Sequence, residues 1–340
     1  MTKFAFVAYY FYDEDGVASL RSRVLSEVLE QRGNKLDIIT RKSFGSNTLN
    51  SKLKWSIKLF AHLMKADYDK LYVSCGPFWH LRVILLACLL RRKKFIVDFR
   101  DPWSVNLKNG FGGSKPKASD NIIKKAEFWE KLVYKYCESF WTVTSGMADA
   151  YEEVFGDQKK INVVINGHNI TSVDDSKESN HNSDKLTFIC MGKFIEYGEE
   201  KAVHALRKLN ETCKAGKKSY KLEFIGAKRD SIEPIIVRLG MEKNVVFIPR
   251  LPYQEAVKRA KSADIGFCIL RDENLEHGTK TFDYIGMGLP IFDCFEKGSM
   301  FHEFFKPYLT LTERKNIPSE VRETYYRKNI FKRHVEQLEK

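Results

Sequence analysis

The chain has 340 residues, of which 43% are hydrophobic and 30% charged, and its formal net charge is +13. This composition is typical of a globular protein with one large or two medium domains, and it excludes a disordered chain. The longest strongly apolar run, residues 83–90, is far short of the roughly 20 residues that a membrane-spanning helix needs. The basic excess favours an anionic partner.

The cysteines and histidines of the sequence limit which disulfide bonds and metal sites we expect. The seven cysteines form no C-x-x-C motif and most lie in apolar segments, which predicts reduced core thiols of a cytoplasmic protein. The N-terminus lacks the small-residue cleavage site of a secretory signal peptide. The eight histidines are scattered without an H-x-x-x-H pair, so we expect neither a bound metal nor another cofactor.

Strand-like and helix-like segments alternate along the chain. The first half predicts strands at 3–9, 36–40, 71–74, 95–99, 140–144 and 162–165, with helices at 19–32, 52–65, 80–91, 121–137 and 146–155. The second half predicts strands at 186–191, 222–225, 245–248, 265–269 and 290–293, with helices at 199–215, 231–239, 253–263 and 279–287. This alternation predicts parallel sheets covered by helices on both faces.

The pattern breaks once, near the middle of the chain. Residues 167–185 are polar and nearly lack large apolar side chains, which is typical of a linker. We therefore predict an α/β protein with two Rossmann-like, doubly wound domains. The expected bounds are 1–168 for the first domain, 169–185 for the linker, 186–316 for the second domain, and 317–340 for a C-terminal helical segment that crosses back to the first domain.

The run GTKTFDYIGMGLPIF at 278–292 predicts a glycine-opened loop, a short helix, a turn and a buried strand. Thr279 can cap the helix, whose free N–H groups attract an anion, and Gly278 lets a ligand approach the backbone. Lys280 adds a positive charge, and Asp283 shares its helix face. We interpret this as a nucleotide-sugar site, with the diphosphate at Lys280 and the ribose at Asp283. An ordinary surface helix has the same pattern.

Several further strings follow one another in a fixed order between residues 3 and 292. They are FAFVAYY with a loop ending in Gly16, the R-x-x-x-L-x-x-x-L pattern from Arg21, VDFRDPW at 97–103, WTVTSGMADAYEEVFG followed by INVVINGHN at 141–169, MGKF at 191–194, and the K-x-x-D-Y helix from Lys280. Together they resemble the GT-B glycosyltransferases, most nearly the family-four type of bacterial polysaccharide assembly. Asp283 departs from this family's usual glutamate.

The resemblance implies a GT-B fold whose two domains face each other across a cleft. It also implies metal-independent transfer of a hexose from a nucleotide sugar, UDP-linked above all, to a polysaccharide or lipid-linked glycan, with retention of configuration. The implied donor-binding residues are Gly16, Gly192, Lys193, Arg250, Gly278, Thr279, Lys280 and Asp283. On the acceptor side they are Arg21, His80, Arg100 and Asp101.

Three of these residues are implied to act in catalysis. Lys193 and Lys280 would neutralise the charge that grows on the leaving nucleoside diphosphate. Asp101, just past the fourth strand, would act as a general base or orient the acceptor. Structural alternatives remain open: an Arg100–Asp101 pair, a buried structural His80, and a solvated helix arginine at Arg21.

Two predicted helices, 52–65 and 121–136, interleave lysines with Trp, Phe and Leu. This composition suits the surface of an anionic membrane, and it also suits a domain helix whose apolar face lies in the core. Residues 1–170 hold 27 basic and 18 acidic side chains, which leaves +4 for the remainder. We therefore expect a cytoplasmic enzyme that is peripheral on the inner face of the membrane.

Two other function classes compete with this hypothesis. A UDP-sugar 2-epimerase shares the architecture and would form product without any acceptor. A basic nucleic-acid-binding protein is disfavoured because no such motif is present and the lysines form no dense block. We expect no nucleic-acid partner.

Overall fold

The structure, a computed structural model, describes residues 1–44, 51–171 and 185–339, so most of the predicted linker at 169–185 lies outside the described residues. Internal contacts divide the chain into two compact units. The first contains Met1–Phe111, Pro116–Asn166 and Arg327–Lys340, and the second contains Gly112–Lys115 and Gly167–Tyr326.

The first unit is built on a parallel sheet. Its strands in the described residues are β1 (Lys3–Ala8), β2 (Lys35–Ile39), β3 (Lys70–Cys75), β4 (Lys94–Phe99), β5 (Ser139–Thr142) and β6 (Ile161–Val163). They lie in the order β2-β1-β3-β4-β5-β6 and pair in parallel. β3 is buried along its whole length, as expected for a central strand of a parallel sheet covered on both faces.

Helices cover this sheet. They are α1 (Val17–Gln31), α2 (Ser51–Lys65), α3 (Leu81–Arg91), α4 (Trp103–Asn109), α5 (Asp120–Tyr136) and α6 (Ser145–Phe155). α3 packs between α2 and α5, while α1 packs against the last helix of the chain, α13 (Arg327–Glu339). Ile330, Phe331 and Val335 of α13 are buried in one core with the β1 side chains Phe4 and Phe6. The chain end is therefore part of the first unit's core.

The second unit repeats the architecture. Its strands are β7 (Lys185–Met191), β8 (Ser219–Ile225), β9 (Val245–Ile248), β10 (Ile265–Gly266), β11 (Ile291–Phe292) and β12 (Leu309–Thr310). Their order is β12-β11-β10-β7-β8-β9, again all parallel. The helices are α7 (Glu199–Ala215), α8 (Arg229–Arg238), α9 (Tyr253–Ala260), α10 (Thr279–Gly286), α11 (Met300–Phe305) and α12 (Ser319–Thr324). The predicted α/β fold of two Rossmann-like units is confirmed.

Some element predictions need correction. The short elements α4, α11 and β12 were not predicted, and β10 and β11 have two residues each instead of the longer strands expected. The C-terminal helical segment expected at 317–340 is broken into α12 and α13. The break lies at Tyr325 and Tyr326, because the Tyr325 carbonyl accepts a hydrogen bond from the His168 amide and Tyr326 forms a parallel bridge with His168. Tertiary pairing therefore interrupts a continuous helical pattern.

All seven cysteines are buried and carry free thiols, as the sequence predicted. None of the described helices is long and apolar enough to cross a membrane.

Candidate functional site

The loop after β7 and the start of α10 meet in the second unit. Gly192 follows β7 with a φ of +68°, and a Cβ placed on it would lie 3.9 Å from the Lys280 Cε atom. The Lys280 ammonium donates a hydrogen bond to the Lys193 carbonyl and lies 5.1 Å from the centroid of the Tyr197 ring. The structure thus brings Gly192, Lys193 and Lys280 together, as the site prediction requires.

The N-terminus of α10 carries no side-chain cap. The prediction that Thr279 caps this helix is wrong, because Thr279 is its first helical residue and Gly278 occupies the cap position. Gly278 has a φ of +67°, and a Cβ there would lie 2.7 Å from the Leu270 Cδ2 atom, so a larger residue would clash. The first-turn N–H groups of α10 thus lack a cap oxygen, and the helix dipole favours an anion beside them.

Asp283 lies one turn further along α10 and is half-buried. Its Oδ1 atom accepts a 3.1 Å hydrogen bond from the hydroxyl of Tyr253, the first residue of α9. The sequence analysis did not identify Tyr253, because 30 residues separate it from its partner and no local motif links the two. Glu276, the preceding carboxylate, is engaged with Arg271 at 2.6 Å.

Arg250 is exposed in the loop after β9. A Cβ on Gly226 would lie 3.3 Å from the Arg250 Cα atom, so the loops after β8 and β9 are in contact. Because β8 separates β7 from β9, Arg250 lies about 10 Å from Gly192 along the sheet edge, at strand spacings of 4.7–4.9 Å. Three cationic residues therefore lie along one edge of the second unit's sheet: Lys193, Lys280 and Arg250.

Tyr284 anchors α10 to the sheet. Its hydroxyl accepts a hydrogen bond from the Met191 amide at 3.1 Å and lies 3.0 Å from the Ile189 carbonyl and 3.2 Å from the Phe267 carbonyl. Its ring lies so close to Gly266 that a Cβ there would be 2.5 Å away. Burial raises the pKa of Tyr284 well above its usual value, which keeps the donor proton in place.

His277 supports the turn that opens α10. It is buried among aromatic rings, with the Phe304 ring centroid 4.2 Å away and the Phe305 centroid 5.2 Å away. Burial lowers the pKa of His277 to about 3, so the ring is neutral at physiological pH. A neutral, packed ring directly before Gly278 is a structural support and adds no positive charge to that of Lys193, Lys280 and Arg250.

In the first unit, Gly16 joins a one-turn 3₁₀ helix to α1 with a φ of +61°, and no described atom lies within 4 Å of a Cβ placed on it. The helix predicted at 19–32 begins earlier, at Val17, so the Ser19 hydroxyl lies inside α1 and does not cap it. This hydroxyl donates back to the Gly16 carbonyl at 2.9 Å. Gly16 thus presents open backbone at the start of α1, and its role in donor binding stays a prediction.

Arg21 lies inside the first unit, with 2% of its surface exposed. Its guanidinium binds the Asp98 carboxylate through two hydrogen bonds of 2.7 and 3.0 Å and donates a third to the Ile165 carbonyl. Burial opposes its charge, yet the Asp98 carboxylate raises the pKa of Arg21. The predicted acceptor-side role for Arg21 therefore conflicts with its burial, and the residue ties α1 to β4.

His80 is also fully buried, against the rings of Trp55 and Trp79. Neither ring nitrogen has a hydrogen-bond partner among the described residues. Burial lowers the pKa of His80 to about 3, so it is a neutral core residue. This environment favours the structural alternative that the sequence left open, over contact with an acceptor.

Arg100 and Asp101 follow β4 at the carboxyl edge of the first sheet. The Arg100 guanidinium donates to the Ala18 carbonyl in the first turn of α1. Asp101 is exposed, directly before α4. Of the four predicted acceptor-side residues, Asp101 is exposed, Arg100 is half-buried, and Arg21 and His80 are buried.

The start of α4 is held by a buried carboxyl group that the sequence analysis did not single out. The Glu130 Oε1 atom accepts hydrogen bonds from the Ser104 amide at 3.1 Å and from the Tyr151 hydroxyl at 2.7 Å. The Tyr151 hydroxyl in turn accepts one from the Trp103 amide at 3.0 Å. These contacts fix the segment that follows Asp101.

No cluster of three or more His, Cys, Asp or Glu side chains that could hold a metal ion occurs within residues 1–44, 51–171 and 185–339.

No protein-family model matches the chain, and no curated protein matches its sequence significantly. Solved structures do match. Anabaena Alr3699/HepE in complex with UDP and glucose is 14% identical over 100% of both chains, with a TM-score of 0.62. The lipopolysaccharide outer core galactosyltransferase WaaB is 14% identical over 99% of both chains, with a TM-score of 0.63. The UDP-GlcNAc 2-epimerase from Methanocaldococcus jannaschii is 12% identical over 99% of both, with a TM-score of 0.58.

The chain has the GT-B fold. A transferase and an epimerase share this fold, so the fold alone does not determine the activity, which depends on the residues at the strand ends. In the second unit these residues are Gly192, Lys193, Arg250, Lys280 and Asp283.

Proposed function

We propose that this protein is a glycosyltransferase that moves a hexose from a UDP-sugar to a polysaccharide or lipid-linked glycan. The observation that carries the proposal is the group formed by the uncapped start of α10, the Lys280 ammonium and the Gly192 backbone at the end of β7. A diphosphate suits this group, because it meets free N–H groups, a helix dipole and a cation together.

Each part of the donor then has a partner. Lys280 and Lys193 neutralise the charge that develops on the leaving diphosphate. Electrostatic stabilisation of this kind is the largest single contribution to the rate enhancement of many enzymes. Asp283, oriented by Tyr253, accepts the ribose hydroxyls. Arg250 lies further along the same edge, within reach of the remaining nucleotide. We extend the proposal to catalysis without a divalent metal, with retention of configuration, and with Asp101 orienting the acceptor.

A thermal-shift panel with UDP, GDP, CMP and dTDP tests the donor. Binding to the native state raises its stability, so UDP should raise the melting temperature most. Lys280→Ala should abolish this shift and lower the rate of UDP release from a UDP-sugar by about 10²–10³-fold. Asp283→Asn should weaken binding of UDP more than binding of pyrophosphate.

Lys258→Ala is the matched control, since Lys258 is an exposed lysine of the same unit in the last turn of α9. If Lys280→Ala and Asp283→Asn both keep the wild-type nucleotide affinity, the assignment of this edge as the donor site is wrong.

A UDP-sugar 2-epimerase is the second candidate, because the Methanocaldococcus jannaschii epimerase matches the whole fold nearly as well as the transferase does. The two activities differ in their products. An epimerase converts UDP-GlcNAc to an isomer without any acceptor, whereas a transferase releases UDP when an acceptor is present. Chromatography of the nucleotides after incubation with UDP-GlcNAc alone distinguishes them.

A further inference from the structure

The outer face of α3 is apolar. Leu86, Leu89 and Leu90 share one side of the helix, because residues three and four apart are neighbours on a helix surface. Their exposed fractions are 51%, 43% and 59%. The opposite side, with Leu81, Ile84, Leu85 and Cys88, is buried against the fold. A helix that is apolar on both sides normally has both sides covered, and here the first unit covers only one.

The two neighbouring helices extend this apolar surface. Leu53 and Ile57, one turn apart on α2, are 70% and 59% exposed, and Ile122 and Phe128 on α5 are more than half exposed. Because α3 packs between α2 and α5, the exposed side chains of the three helices form one surface, which we call the three-helix face. The Arg82 guanidinium lies 4.8 Å from the centroid of the Trp129 ring and so joins α3 to α5 across it.

The three-helix face is strongly basic. α2 and α3 contain no acidic residue, and α5 contains three, of which Glu130 is buried. The basic residues of the three helices are Lys52, Lys54, Lys58, Lys65, Arg82, Arg91, Lys124, Lys125, Lys131 and Lys135. Ten basic residues against three acidic ones give these helices a net charge of +7, more than half of the +13 of the whole chain.

We propose that the three-helix face docks onto an anionic lipid bilayer. The α3 leucines would enter the boundary between headgroups and acyl chains, and the lysines of α2 and α5 would contact the lipid phosphates. An apolar stripe bordered by cations matches such a boundary in both polarity and sign of charge. Long lysine side chains can also lay their methylene stems along the apolar stripe while the ammonium groups reach the phosphates.

A protein partner is disfavoured by the same composition. The centres of protein interfaces are depleted of lysine, whereas six lysines of α2 and α5 lie within three residues of an exposed apolar side chain on the same helix: Lys52, Lys54, Lys58, Lys124, Lys125 and Lys131. The inference concerns the first unit only and does not depend on the proposed reaction. Failure of the docking test and failure of the activity test are therefore distinguishable.

Co-sedimentation of the full chain with vesicles tests the proposal. The vesicles are phosphatidylcholine alone, or equal parts of phosphatidylcholine and phosphatidylglycerol, at low and high salt. Wild type should bind the anionic vesicles at low salt, ignore the neutral ones and be released by salt, because salt screens charges within a Debye length.

Two triple variants then separate the charged and the apolar parts of the face. Lys52→Gln, Lys54→Gln and Lys58→Gln combined should weaken partitioning on the order of 100-fold, at about 1 kcal/mol per basic residue. Leu86→Gln, Leu89→Gln and Leu90→Gln combined should weaken it at least about 10-fold, since exposed leucines lose apolar contact with lipid. Glutamine forms helices well, so both variants should keep the fold, which circular dichroism verifies.

The matched control combines Lys214→Gln, Lys218→Gln and Lys243→Gln, three exposed lysines of the second unit. It loses the same charge elsewhere and should bind vesicles far better than the Lys52, Lys54 and Lys58 variant does.

Because all seven native cysteines are buried, Leu86→Cys offers a reactive thiol for a polarity-sensitive fluorophore. Its emission should shift to the blue with anionic vesicles, and the same label at Val237→Cys, exposed on α8, should not shift.

Three results would overturn the proposal. The first is wild-type protein that stays in the supernatant with anionic vesicles at low salt. The second is a leucine variant that binds as well as wild type, because the docking surface would then lie elsewhere. The third is a lipid-free dimer that the leucine variant dissociates, which would make the three-helix face an interface between copies of this chain.

Discussion

Glu130→Gln probes the buried carboxyl group that holds α4 behind Asp101. Burial raises the pKa of Glu130 from 4.5 to about 7, although hydrogen bonds from Ser104 and Tyr151 act in the opposite direction. The Oε2 atom is buried without a hydrogen-bond partner among the described residues. A charge on this group is therefore poorly solvated in the folded state, and the neutral form is favoured.

The sign and size of the effect follow from proton linkage. Between pH 4.5 and 7 the folded protein keeps a proton on Glu130 that the unfolded chain has lost. The free energy of unfolding therefore falls as the pH rises through this window, and the full penalty is present above pH 7. At 1.36 kcal/mol per pKa unit, it amounts to about 3 kcal/mol. Glutamine keeps the Oε1 acceptor and carries no charge, so the variant escapes the penalty.

The assay is urea denaturation of both proteins at pH 5, 6, 7 and 8. The stability of Glu130→Gln relative to wild type should rise by about 2.5 kcal/mol from pH 5 to pH 8, because a small part of the penalty is already present at pH 5. Other titrating groups cancel in this difference, and Glu127→Gln on the same helix controls for the loss of one negative charge. A stability difference that stays constant, or shrinks as the pH rises, would show that folding does not raise the pKa of Glu130.

Four further outcomes are expected. Tyr253→Phe should weaken UDP binding several-fold, about 1 kcal/mol by isothermal calorimetry, because Asp283 loses an orienting hydrogen bond. Gly266→Ala should lower the free energy of unfolding by about 1–3 kcal/mol in urea, since its Cβ would meet the Tyr284 ring at 2.5 Å. Burial lowers the pKa of His80 to about 3, so between pH 6.5 and pH 5 the unfolded chain binds a proton at this histidine and the folded protein does not. The free energy of unfolding of wild type, measured relative to that of His80→Leu, should therefore fall by about 2 kcal/mol over this pH range. UDP release should survive excess EDTA, and a loss that Mn²⁺ restores would contradict metal independence.

The predicted strands correspond closely to the observed ones where a strand is a continuous apolar run. β1 and β9 are such runs, and their predicted bounds differ from the observed ones by one residue at most at each end. Short elements were missed for a physical reason. α4 and α11 have seven and six residues, too few for a helical period to emerge, and tertiary contacts decide whether they form.

The candidate site was predictable in part. Gly278, Lys280 and Asp283 all belong to one short motif, so their proximity follows from helix geometry alone. Arg21 shows the limit of this reasoning. Its partner Asp98 is 77 residues away, and nothing in the local pattern of α1 indicates that an arginine in its first turns is buried beside a carboxylate.

The two sides of α10 have different roles: one side packs against the sheet, and the other carries the predicted ligand-binding residues. Eight residues are too few for a stable isolated helix, so α10 depends on tertiary contacts. Phe282, Tyr284 and Ile285 supply them, because all three are fully buried and the Tyr284 hydroxyl bonds to the backbone of β7. Lys280 and Asp283 are thereby left half-exposed at the strand ends. A charge presented by a rigidly anchored helix is oriented before a ligand arrives, and in the proposed reaction such preorganisation would let it stabilise the leaving diphosphate.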